Sequence, residues 1–239
     1  LGFWSAAAES RARELAVSRI VVEGNQRLSG GEILDTLGLY QSANILALDL
    51  PELKQKLLRS PWIKDAELAR VLPGTLTLRI VERAPVGIAV LDRLYLMDEE
   101  GVLLDELTPR YRDLPLPLVR GLSREGTLSP ERAALSGRVL AAVRADPRLE
   151  SALSELAVSE AEDGPPLVRL SLRNPPLALL AREMDLVPRL REVLPLATEL
   201  AARFPELAEV DLTFRDRIYL RLPAAVAPAV EPATQPGGR

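Results

Sequence analysis

"SPWIKDAELARVLPGTLTLRIVERAP", residues 60–85, ends a helix, crosses two strands and stops at a proline. In its second half Leu76, Leu78 and Ile80 alternate with Thr75, Thr77 and Arg79. Apolar residues two apart share one face of a strand, so this is a half-buried strand of period two. Pro73-Gly74 before it makes a tight turn, and residues 63–71 form the other arm of a hairpin with looser alternation. There Ala66 and Leu68 share one face and Glu67 lies on the other. Glu82 and Arg83 close the second strand, and Pro85 stops it.

Upstream, two short helices are legible. Ser29 with Glu32 three residues on is a capping box, and Leu28 and Ile33 have the spacing of a hydrophobic staple. Ile33, Leu34 and Leu37 give this helix its apolar face. Asp49 caps the second helix, with Glu52 three residues later. Leu50, Leu53, Leu57 and Leu58 face the core, and Pro61 ends the helix by pushing the residue before it out of helical geometry. Before the helices, "RIVVE" (Arg19–Glu23) is a β-branched strand closed by the turn pair Gly24-Asn25. The order strand, helix, helix, strand, strand packs economically as a three-stranded sheet with two helices on one face, an α+β layer. The first strand must then find an edge of the hairpin's sheet.

Composition bounds the function. The chain has 239 residues, 47% of them apolar and 27% charged, which suits one large or two small globular domains. Net charge is −4 and there is no long basic run, which argues against a nucleic-acid partner. There is no cysteine and no histidine. Disulfides, zinc-thiolate sites, thiol catalysis and Ser-His-Asp chemistry are excluded, and the commonest metal ligand is missing. No metal or cofactor site is expected.

The matching pieces Val22-Glu23-Gly24-Asn25, Ser60-Pro61-Trp62-Ile63, Ala66, Arg70, Pro73-Gly74-Thr75-Leu76 and Glu82-Arg83-Ala84-Pro85, in this order, resemble a POTRA domain. In particular they resemble the single POTRA domain of the FtsQ/DivIB bacterial cell-division family. No second copy of the pattern follows, unlike the tandem POTRA units of outer-membrane translocases. Residues 86–222 resemble the β domain of the same family. They read as strands at the start of "PVGIAVLDRLYLMDEEGVLLDE" and at residues 94–97 and 102–104, with turns at Asp92-Arg93 and around 98–101. "LPLVRG" (residues 116–121) resembles a Leu-Pro-x-Leu-x-Gly element with Val119 in place of the second Leu. A helix runs from Ser129 to about Arg144, capped by Ser129 with Pro130 at its first position. Strands follow at 152–158, 168–172 and 177–180. An amphipathic helix spans about 186–203, where Pro195 is expected to kink or split it. A final hairpin of "EVDLTF" (209–214) and "RIYLR" (217–221) turns at Arg215-Asp216; its first strand resembles the family's penultimate strand except at Thr213, where Arg is expected.

The expected fold is therefore α+β: a POTRA domain at 17–85, a mixed and mainly antiparallel β domain with flanking helices at 86–222, a membrane-proximal segment at 1–16 and a Pro/Ala-rich disordered tail at 223–239. Residues 6–16 have helical propensity. The chain starts without Met and is read as part of a longer protein. Phe3 and Trp4 are either the outer end of a transmembrane helix, where Trp sits at the membrane interface, or an incidental chain end. The resemblance implies a single-pass protein of the cell membrane, with a transmembrane helix upstream and this body outside the cytoplasm (periplasmic) at the division site. It implies a scaffold that binds FtsB-like and FtsL-like division proteins, without enzymatic activity or a small-molecule substrate.

An edge strand offers unpaired backbone groups to which a partner adds a strand. The last strand, Arg217, Ile218, Tyr219, Leu220 and Arg221, is the candidate partner-binding edge. Tyr219 is an interface-type residue, and Arg217 and Arg221 on its side of the strand could pair with acidic partner residues. On the residues alone the strand reads as a closing strand whose side chains pack or are solvated; the resemblance favours the binding reading. Phe214 and Trp62 are expected in the core, with contact to a partner as the alternative for each. The rival enzyme reading would use Asp98, Glu99 and Glu100, which sit at a turn where solvated acids are commonplace. Gly30-Gly31 lacks the Lys-Ser/Thr and the parallel context of a phosphate loop. The remaining alternative is a POTRA module of a transport or outer-membrane assembly system.

Overall fold

The computed structural model describes residues 15–38, 43–111, 113–161, 164–214 and 217–222. The expected segments at residues 1–14 and 223–239, and the turn at Arg215-Asp216, lie outside the described residues. The chain divides into two units, residues 1–144 and 145–239.

Unit 1 opens with β1 (Arg19–Glu23), α1 (Gly30–Leu37), α2 (Leu50–Leu58), β2 (Ile63–Val71) and β3 (Thr75–Glu82). The hairpin strand β3 is the centre of a three-stranded sheet ordered β1-β3-β2. It pairs antiparallel with β2 and parallel with β1, so the first strand does take the free edge of the hairpin. Both helix caps form. The Ser29 hydroxyl accepts from the Glu32 N–H while the Glu32 carboxylate accepts from the Ser29 N–H, and Asp49 accepts from the Glu52 N–H at 3.0 Å. Leu76, Leu78, Ile80 and Ala66 from the sheet pack on Ile33, Leu37, Leu53 and Leu57 from the helices.

The loop after β1 is held by one side chain. Glu82 Oε1 accepts from the N–H groups of Gln26 and Leu28, and Oε2 from that of Arg27, all at 2.9–3.0 Å. Gly24 turns into this loop at φ +85°, and a Cβ there would stand 2.3 Å from the Ile80 carbonyl oxygen. Only glycine fits that approach. Hydrogen bonds to a charged acceptor contribute more than neutral ones, so Glu82→Ala is expected to cost about 2 kcal/mol. The urea midpoint followed by Trp62 fluorescence checks this; an unchanged midpoint would show that water replaces the carboxylate without cost.

The rest of unit 1 comprises β4 (Pro85–Val90), β5 (Leu94–Asp98), β6 (Leu103–Glu106), β7 (Leu118–Arg120), the two-residue strands β8 (Ser123–Arg124) and β9 (Thr127–Leu128), and α3 (Pro130–Arg144). Strands β7, β4, β5 and β6 lie side by side in that order, parallel at β7/β4 and antiparallel elsewhere. Trp62 is a buried plug among Ile88, Leu96, Leu104 and Tyr111, with its ring 5.8 Å from that of Tyr111. The Ser129 hydroxyl accepts from the Arg132 N–H at the start of α3. Midway along this helix a Cβ on Gly137 would meet the Glu99 carbonyl oxygen at 2.4 Å, so glycine lets α3 lie directly on the β5–β6 turn.

Unit 2 contains α4 (Pro147–Ala152), β10 (Leu153–Ser159), β11 (Leu167–Leu172), β12 (Ala178–Arg182), α5 (Glu183–Arg203), β13 (Glu209–Asp211) and β14 (Tyr219–Arg221). The strands lie side by side in chain order, antiparallel except at β12/β13, where α5 forms the crossover. The short helix α4 is absent from the sequence reading, although Asp146 caps it and Pro147 occupies its first turn. The reading of Pro195 as a helix splitter is corrected: α5 runs unbroken through Pro188 and Pro195. Pro195 lies on the exposed side, opposite the buried Leu186, Leu190, Val193 and Ala197, so water can satisfy the carbonyl that loses its partner. The fold is α+β with mainly antiparallel strands.

Candidate partner-binding edge

Strands β13 and β14 pair Asp211 with Tyr219, Val210 with Leu220 and Glu209 with Arg221. Among the described residues β14 pairs with β13 alone, so its other side is a free strand edge. Period two puts Glu209, Asp211, Tyr219 and Arg221 on one face, and Val210 and Leu220 on the other.

Asp211 is the anchor. Its side chain is 2% exposed, yet every oxygen is used: Oδ1 accepts from the Thr213 N–H at 3.0 Å and from Thr213 Oγ1 at 2.6 Å, and Oδ2 accepts from Arg221 Nη2 at 2.5 Å. Arg221 Nε lies 3.8 Å from Glu209, which also pairs with Arg169 at 2.9 Å. Arg221, read as a cation for acidic partner residues, thus engages carboxylates of its own chain. Thr213, the departure from the family pattern, caps Asp211.

Burial works to raise the Asp211 carboxyl, but the Thr213 hydroxyl and N–H and the Arg221 guanidinium outweigh it and hold the group below the ordinary Asp range. Because the folded value lies below the unfolded one, about 3.9, the contribution is complete above that pH. It is lost as pH falls through the folded value. Amide protection in β13 and β14 is therefore expected to hold at every pH above the ordinary Asp range and to fall only once pH drops below it. Asp211→Asn should show no such acid step in hydrogen exchange; an identical step in that variant would assign the titration to another group.

The outer surface is apolar. Phe214, Ile218, Tyr219, Leu220 and Leu222 are 41–60% exposed, five of the twelve exposed large apolar side chains among the described residues. Scattered exposed apolar residues are ordinary; here Tyr219 stands on one face of the strand and Leu220 on the other, and together they flank the free edge as a candidate interaction surface. The Phe214 and Tyr219 rings meet edge to face with centroids 5.0 Å apart. This corrects the placing of Phe214 in the core: β13 ends at Asp211, so the alternation that buries Val210 and Leu212 does not carry to residue 214. The strand is also shorter than the sequence suggests. Tyr219, Leu220 and Arg221 form β14, while Arg217 and Ile218 precede it as exposed chain. Sequence reasoning missed Leu222 as a member of this surface; its nearness to a terminal strand was the available signal.

The acids of the enzyme reading are tied up in ion pairs. Arg83 Nη1 reaches Asp98 at 2.6 Å and Glu100 at 2.5 Å, and Lys64 reaches Glu99 at 2.9 Å and Glu100 at 3.0 Å. Arg83, and then Lys64, hold the Glu100 carboxyl below the usual Glu range. Among the described residues no cluster of acidic side chains could hold a metal ion, and no helix is long and apolar enough to cross a membrane.

Comparison with known proteins follows the same outline. A family model described as the FtsQ-type POTRA domain matches residues 15–83. The chain is 38% identical over 111 residues to the cell division protein FtsQ of Myxococcus fulvus, covering 46% of this chain and 39% of that protein. It is 35% identical over 120 residues to FtsQ of Syntrophotalea carbinolica, covering 50% and 42%. Against FtsQ of Koribacter versatilis the match runs over 228 residues at 28% identity, covering 90% of this chain and 65% of the relative. The chain thus spans less than two thirds of the length of each of these relatives. With its α+β fold and its FtsQ-type POTRA domain, the chain is similar to the FtsQ cell division proteins.

Proposed function

We propose that this chain is a non-enzymatic scaffold of the division machinery, binding FtsB-like and FtsL-like division proteins by strand addition at β14. The observation that carries the reading is the free edge of β14 with its exposed apolar cluster around Phe214 and Tyr219. Backbone groups of the edge supply affinity, and alternate side chains supply specificity. The two-sided carboxylate clamp from Glu209 and Asp211 to Arg221 supports this by holding β14 in place before a partner arrives, which lowers the ordering cost of binding. The relatives' shared name, cell division protein FtsQ, supports the division role. The proposal includes a transmembrane helix upstream, this body on the periplasmic side at the division site, and a boundary between POTRA and β domains near residue 85.

Titration calorimetry of the chain against the extracytoplasmic segment of its own FtsB-like partner tests the reading, with hydrogen exchange read in parallel. Binding with new amide protection at Tyr219, Leu220 and Arg221 is the expected result. Binding without protection there would move the site, and no binding would favour a POTRA module of a transport system.

A further inference from the structure

A second apolar surface lies at the opposite end of the sequence. Leu46, Val71 and Leu72 are 55%, 53% and 60% exposed. They stand on two loops that are stitched to each other and to the start of the described chain. The Ile45 N–H donates to the Leu15 carbonyl at 2.8 Å, and the Val17 N–H to that of Ala43 at 2.9 Å. The Ser18 and Arg19 N–H groups donate to the Gly74 carbonyl at 2.9 and 3.2 Å. Arg70 Nε donates to the Ile45 carbonyl at 2.8 Å, and its Nη2 to that of Leu48. The loop at 43–49, the β2–β3 turn and residues 15–19 therefore make up one end of the three-stranded sheet, and that end carries the three aliphatic tips.

We propose that this end of unit 1 is a lipid-contact surface, with Leu46, Val71 and Leu72 seated in the interfacial layer of a bilayer. The inference rests on the reading that the chain is carried on a membrane upstream of residue 15. Three features favour lipid over a protein occupant. The tips are aliphatic, on short loops fixed by hydrogen bonds, so they insert with little loss of freedom. The exposed ionisable groups beside them include Arg19, whose guanidinium group suits anionic headgroups, while Arg70 is engaged with the Ile45 and Leu48 carbonyls and the Asp49 carboxylate in capping α2. Phe3 and Trp4, an aromatic pair of the kind found at membrane interfaces, precede Leu15 by a stretch of only ten residues, 5–14. Even fully extended, ten residues reach at most about 36 Å.

Because the chain has no cysteine, a single introduced thiol can be labelled. Leu72→Cys carrying an environment-sensitive nitrobenzoxadiazole dye would be compared with Gln26→Cys, an exposed position in the loop that follows β1 at the other end of the sheet. Each labelled chain is tethered through an N-terminal His tag to phosphatidylethanolamine/phosphatidylglycerol vesicles containing a nickel-chelating lipid. The expected result is a blue shift at position 72 and quenching by brominated lipids at least about threefold stronger than at position 26. Adding Leu46→Ser and Val71→Ser should bring position 72 down to the level of position 26, with circular dichroism unchanged. Equal quenching at both positions, or none, overturns the proposal. So does a dye at 72 that ignores vesicles but shifts on adding a soluble division protein. Membrane anchorage is read separately, by fractionating the full-length gene product; a soluble product would sink that reading and leave the vesicle result standing.

Discussion

Tyr219→Ala is expected to weaken binding of the FtsB-like segment by about 30-fold or more, the effect of losing an aromatic hot spot worth about 2 kcal/mol. Tyr219 is 43% exposed, and its ring meets that of Phe214 edge to face. Removing the ring therefore costs little in the free chain and a great deal in a complex that covers it. Leu220→Lys should weaken binding comparably by placing a charge in the covered apolar surface. Neither change touches the Asp211–Arg221 clamp, so the thermal midpoint should move by no more than a degree or two. Calorimetric titration of both variants decides the matter: unchanged affinity in both would remove β14 as the site. A lowered midpoint would instead show that these side chains stabilise the hairpin rather than a partner.

The largest expected loss of stability comes from Arg83→Met. Arg83 is 16% exposed and bridges the 1%-exposed Asp98 to Glu100. Removing the cation leaves a buried carboxylate without its counter-charge, a change that costs about 3–5 kcal/mol. Asp98 Oδ1 keeps the N–H groups of Glu100 and Val102 at 3.0 and 2.8 Å, which places the expected value near the lower end, about 3 kcal/mol. Adding Asp98→Asn should recover part of the loss, because the amide oxygen still accepts those N–H groups without carrying charge. Urea unfolding of unit 1, followed by Trp62 fluorescence, measures both variants. A cost below about 1 kcal/mol for Arg83→Met would put the pair in the class of solvent-screened surface bridges.

These two residues also divide what could be read from the chain from what could not. The Glu82-Arg83 pair is recognisable as a motif, but only the folded chain shows the division of labour. Glu82 reaches back to the loop after β1, and Arg83 reaches forward to the β5–β6 turn. Those partners lie up to 56 residues away, a distance over which sequence periodicity carries no information.

Local order was determined by the sequence itself. The caps at Ser29 and Asp49 and the alternation of Leu76, Leu78 and Ile80 are consequences of backbone geometry within a few residues. So was the chemistry the chain lacks, since no arrangement creates a thiol or an imidazole that is not there. Tertiary structure decided the rest. Phe214 has the spacing of a core residue and stands outside because its strand ends three residues earlier. Arg221 looks free in the sequence and is engaged because Asp211 and Glu209 face it across the hairpin. Pro195 breaks a helix in isolation and is carried within α5 because it faces water while Leu190, Val193 and Ala197 are buried on the other side. In each case the outcome depends on which neighbours the fold supplies, and burial and pairing between distant segments are set by the folded chain as a whole.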